Sequence, residues 1–144
     1  MAVSMLMYGK ALISAFSADI DIPAGTIKCM LVTSTYTPDQ DAHQFKSSVT
    51  GEATGTGYTA GGVTLTSKSL AYAASTNTFT IDAADVSWTS STITARYAVI
   101  YQDTGTSSTS PLIGYVDFGA DMSSSASTFA LTWDAAGMFS GTVS

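Results

Sequence analysis

The sequence predicts a mainly β chain of α+β type, an antiparallel β-sandwich or partly closed barrel with an N-terminal helix and one short helix packed on it. Three observations lead there. Apolar residues alternate with threonine in several short runs, Val63/Leu65, Phe79/Ile81 and Phe129/Leu131/Trp133 among them, which is the period of a half-buried strand. Turn signals recur roughly every ten residues between those runs. The 21 Ser and 22 Thr supply most of the polar surface, because only 11% of residues are charged, and β-branched threonine suits a pleated sheet. At 144 residues the chain is long enough for one domain over 1–144 with its own core.

Taken in order, the residues justify each element. Residues 4–18, SMLMYGKALISAFSA, put Met5, Tyr8, Leu12, Ala15 and Phe16 near helical spacing with Ser4 able to cap the start, so a helix is expected over 4–18. Gly9 weakens it by about 1 kcal/mol relative to alanine. Pro23-Ala24-Gly25 then punctuates the chain. Within 26–35, Ile27, Cys29 and Leu31 alternate with Lys28, Met30 and Val32, and two largely apolar faces predict a central strand covered on both sides. Thr37-Pro38-Asp39-Gln40 has a capping residue, proline at the first helical position and glutamine at the third, the capping-box pattern of a short helix over 38–47.

The region 57–139 reads as β-rich. The Gly/Thr-rich stretch Thr50 to Gly62 is a loop entering a strand; it has no Gly-Lys-Ser/Thr after it, so it is no phosphate cradle. Leu70 and Tyr72, the turn Ser75-Thr76-Asn77, and Phe79 and Ile81 form a hairpin pattern. After Val86 to Trp88, the run TITARYAVIYQ predicts the longest strand, the polar segment Asp103 to Pro111 an exposed, mobile loop, and LIGYVDFG and TFALTWD two further strands.

Charge excludes several function classes. Five Lys+Arg against eleven Asp+Glu leave a net charge of −6, which opposes binding to a nucleic-acid backbone. Lys10, Lys28, Lys46, Lys68 and Arg96 stand singly along the chain, so no local basic patch offsets that balance. Without an apolar run of roughly eighteen residues, no membrane-spanning helix is expected. The N-terminus lacks a secretory pattern, so synthesis in a cytoplasm is expected. The lone Cys29 reads as a buried small hydrophobe and allows no internal disulfide. A mean hydropathy of +0.24 with so few charges favours association with other chains. The Met-rich start MAVSMLMYG has two uses open to it, the protein's own core or attachment to a neighbour.

Candidate chemistry is sparse. Asp39-x-Asp41-x-His43 collects two carboxylates and the only histidine, and Asp39 and His43 could share a helical face as ligands. At a helix start the same aspartates serve the helix dipole, and two or three such groups do not close a coordination shell. Scaffolding is the expected role. Asp82, Asp85, Asp103, Asp117 and Asp121 each fall in or beside a turn, where aspartate is expected for local hydrogen bonding. No G-x-S-x-G elbow accompanies the histidine, and Asp117-Phe118-Gly119 stands without other kinase signatures. The expectation is a non-enzyme with no catalytic, cofactor-binding or metal-binding residues. Trp88, Trp133 and seven tyrosines raise sugar binding; Trp133 alternates with Leu131 and Phe129 toward the core, while Trp88 fits either use.

Five stretches, YGKALISAF, IKCMLVTSTYTPDQDAHQF, GTGYTAGG, ITARYAVIY and PLIGYVDFGADMSSSASTFALTWDAAGMF, together resemble a group of small tailed-bacteriophage structural proteins encoded among virion genes. The similarity spans nearly the whole chain and rests on framework and turn residues. It implies an accessory virion component, first of all a capsid decoration (cement) protein on the outer capsid surface. Implied partners are the major capsid protein and copies of itself, trimers by analogy with other shell proteins. A tail or head-fibre component that binds the host surface, or a small carbohydrate-binding module, are the alternatives. No catalytic residue is carried over.

Overall fold

The computed structural model describes residues 2–144; of the Met-rich start, Met1 lies outside them. In chain order the elements are β1 (Ala2–Val3), β2 (Leu6–Met7), α1 (Ala11–Phe16), β3 (Ile27–Val32), β4 (Val63–Thr64), β5 (Ser69–Ala73) and β6 (Thr78–Asp82). Then follow β7 (Val86–Ser91), β8 (Thr94–Gln102), β9 (Leu112–Ser123), β10 (Ser127–Trp133) and β11 (Phe139–Thr142). They form a five-stranded sheet in the order β2-β9-β8-β3-β4 and two three-stranded sheets, β1-β10-β7 and β11-β6-β5. All pairings are antiparallel except that of β1 with β10. The result is a sandwich-like packing of sheets, without a closed barrel.

Strand β3 explains why the sheets stack. Ile27, Cys29 and Leu31 join the larger core with Trp88, Phe129 and Trp133, while Met30 and Val32 join a second core with Tyr8, Tyr36, Val99 and Tyr101. Both faces are covered, as the doubly apolar alternation predicts. Burial at Cys29 pushes its thiol up to about 12, so it stays protonated and packs as a hydrophobe.

Two expected helices are corrected. The helix over 4–18 shrinks to α1, because the residues before it pair with strands instead: Leu6 lies opposite Tyr115 and Met7 opposite Gly114. Tyr8 N–H donates to Ile113 O at 3.1 Å and Gly9 N–H to Gln40 O at 2.9 Å. Val3, Met5 and Tyr8 are buried, so the protein's own core claims these side chains, and among the described residues of the Met-rich start only Leu6 is a well-exposed large apolar side chain.

The helix over 38–47 is replaced by a turn and a three-residue 3-10 segment, Lys46–Ser48. Asp39 Oδ1 accepts the N–H groups of Asp41 at 3.0 Å and Ala42 at 2.9 Å, an Asx turn that offers the backbone an alternative to a helix. Beyond it, Leu112 N–H donates to Gln44 O and Lys46 N–H to Ser110 O, both at 2.8 Å, which draws the chain out alongside the start of β9. Gln40 does not complete a capping box; its Nε2 donates to Met7 O at 2.8 Å.

Candidate functional site

A large concave surface arises between α1 and the sheet β11-β6-β5. Register places Leu70, Ile81 and Phe139 in one cross-strand row and Tyr72, Phe79 and Gly141 in the next. Ser69, Ala71, Ala73, Thr78, Thr80, Asp82, Ser140 and Thr142 occupy the other face. Period-two alternation thus gives this small sheet one apolar side, and that side looks across an open groove of about 800 Å³ toward α1. Ile22, Ile81 and Ile113 contribute buried surface, Leu12, Phe16 and Leu70 exposed side chains, and Asp21 is the single charged residue that lines it.

Helix α1 is apolar nearly all round, and that is what leaves the groove open. Ala11 and Ser14 turn inward, while Leu12, Ile13 and Phe16 are exposed, Phe16 to 91%. Six residues are too few to be stable alone, so packing of the inward face holds the helix and leaves the outer apolar face without a cover. A large exposed apolar patch is the feature that marks an interaction surface.

Electrostatics limit what can meet it. Lys28 pairs with Asp103 at 2.7 Å and Arg96 with Asp117 at 3.0 Å. Lys10 Nζ donates to Ala42 O, Lys68 Nζ to Gly25 O, and Lys46 Nζ sits 5.0 Å above the Tyr101 ring. All five Lys and Arg are engaged within the chain. The Lys28 ammonium and then the Gly105 N–H hold the Asp103 carboxyl below its ordinary value; for Asp117 the Gly119 N–H acts first and Arg96 adds to it. The chain as a whole keeps a net charge of −6, so a complementary surface is neutral or cationic.

The residues singled out in the sequence come together differently. Asp39, Asp41 and His43 do share one turn, but Asp39 Oδ1 is spent on two backbone N–H groups. Those bonds, Ala42 first, lower the Asp39 pKa. His43 Nδ1 accepts the Asp39 N–H at 3.2 Å and lies 2.8 Å from Tyr36 Oη, which in turn is 2.8 Å from Tyr8 Oη. The donors assign one order of protons, Tyr8 to Tyr36 to Nδ1, with the second ring nitrogen carrying the hydrogen. Burial raises the Tyr8 pKa, so its hydroxyl remains a donor. This chain of bonds ties the 36–43 segment to the second core. Among the described residues, no three His, Cys, Asp or Glu side chains are grouped to hold a metal ion.

Asp103 Oδ1 accepts the Gly105 N–H and Asp117 Oδ1 the Gly119 N–H, the turn chemistry expected of them, whereas Asp85 Oδ1 accepts the Trp133 N–H from the distant strand β10. Both tryptophans lie in the core: Trp88 meets Phe129 edge-on at 5.9 Å, and Trp133 Nε1 donates to Ala84 O at 3.1 Å. Neither offers a sugar-stacking platform. The groove itself was missed in the sequence, although ALISAF, six residues without a polar face, carried its signal. Comparison with family models, with curated proteins and with solved structures found no match for this chain.

Proposed function

We propose that this chain is a non-enzymatic structural component of a tailed-bacteriophage virion, a capsid decoration protein that seats its apolar groove on the outer surface of the shell. The observation that carries the reading is the uncovered outer face of α1, with Phe16 91% exposed beside a groove lined by one charged residue. Burying a phenylalanine of this kind against a partner contributes about 1.5–3 kcal/mol by area, part of it offset by the cost of association. The occupant that fits is an apolar segment of the major capsid protein with a cationic residue set against Asp21, the one charged residue lining the groove. The sequence resemblance to tailed-phage virion proteins supplies the identity of the shell as partner.

Quantitative mass spectrometry of purified particles tests this. A decoration protein is expected in copy numbers of the same order as the major capsid protein. A handful of copies per particle, recovered with the tail fraction, would contradict it and favour the tail-fibre alternative.

A further inference from the structure

We infer that two copies of this chain pair edge to edge through β5, joining their small sheets into one six-stranded sheet across a two-fold axis. Strand β5 is the outer strand of β11-β6-β5, and all five of its residues are exposed. Its ladder to β6 runs residue for residue without a bulge. Edge strands are normally protected by a charge, a proline, a bulge or a covering element. Ser69-Leu70-Ala71-Tyr72-Ala73 has neither charge nor proline, and its unpaired backbone groups form a template for another strand.

Charge names the occupant. Two copies of a chain with net charge −6 repel each other over most of their surfaces, but no Asp, Glu, Lys or Arg occurs from Ser69 through Ile81. Asp82, the one charged residue of the β5-β6 hairpin, ends β6 opposite Ser69, one strand behind the outer edge, so β5 itself is an edge on which a second copy approaches without opposing like charges. Geometry agrees. An antiparallel pair centred on Ala71 sets Leu70 against Tyr72 of the partner subunit and Ser69 against Ala73 of the partner subunit, so apolar side meets apolar side and polar side meets polar side. The axis of such a pair stands perpendicular to the sheet, so both grooves open in the same direction. If the groove is the shell contact, as proposed above, the pair grips the shell at two points and gains avidity without new contacts.

The test uses the full chain, with no capsid present, in sedimentation equilibrium over a range of concentrations. Ala71 is exposed in the monomer and meets its own copy at the axis, so Ala71→Lys and Ala71→Glu each oppose like charges there. Wild type is expected to pass from monomer to dimer as concentration rises. Each variant should remain monomeric over the same range with an unchanged circular dichroism spectrum, and an equal mixture of the two should recover the dimer. A wild type that stays monomeric, a trimer, variants that dimerise like wild type, or a mixture that stays monomeric would each overturn the pairing. A protein that dimerises yet is scarce in particles would sink the decoration reading and leave the pairing standing.

Discussion

Gly62→Ala will be among the most damaging small substitutions in the chain, lowering stability by about 2–6 kcal/mol, the sum of backbone strain and overpacking. Gly62 has φ +80° and follows the loop that enters β4. An added Cβ there would overlap the carbonyl oxygen of Cys29 and come within 2.6 Å of Met30 Cα. Both obstacles are backbone of the central strand β3, so no side-chain rotation relieves them. Gly105 is the control: its φ is +86°, but an added Cβ meets nothing within 4 Å. Gly105→Ala should therefore cost only the strain, about 1–2 kcal/mol. Urea denaturation of both variants measures the difference; equal losses would show that close approach to β3 contributes nothing.

Tyr36→Phe should cost about 1–3 kcal/mol, because it leaves the Tyr8 hydroxyl without its partner in a fully buried position. The ring contacts of Tyr36 with His43 and Tyr97 survive the change, so the loss reports the hydroxyl. Tyr8→Phe should cost less, since Tyr36 then keeps His43 Nδ1 at 2.8 Å. Combining the two removes the stranded donor, and the double variant is expected to be no less stable than Tyr36→Phe alone. A double-mutant cycle by urea denaturation checks that coupling. Additive losses would mean that the two hydroxyls act independently.

Much of the β framework was legible in the sequence because alternation is a local property. The doubly apolar run around Cys29 named the central strand, and the TITARYAVIYQ run named β8, although β9, with 12 residues against 9, and not β8, is the longest strand. The N-terminal helix was not legible in its true length. Met5 and Tyr8 satisfy helical spacing, yet they are also the buried residues of a segment whose backbone bonds go to Ile113 and Met138, and spacing cannot tell where a hydrogen bond ends. At Asp39 the residue types of an N-terminal cap and of an Asx turn are the same, and the pull of residues 44–46 toward Ser110 and Leu112, distant in sequence, decided between them. Periodicity likewise revealed which side of the β5-β6 hairpin is apolar, but not that a six-residue helix leaves that side uncovered.

In the function proposed above, the outer face of α1 and the groove beside it form the shell contact. Phe16 touches this question most directly, because a substitution there alters a side chain that the fold leaves in solvent. Purified capsids lacking the protein, mixed with wild type or with Phe16→Asp and then sedimented, give the measurement. Wild type is expected to sediment with the capsids, while Phe16→Asp stays in the supernatant with an unchanged melting temperature. Equal occupancy of the capsids by the two proteins would contradict the account.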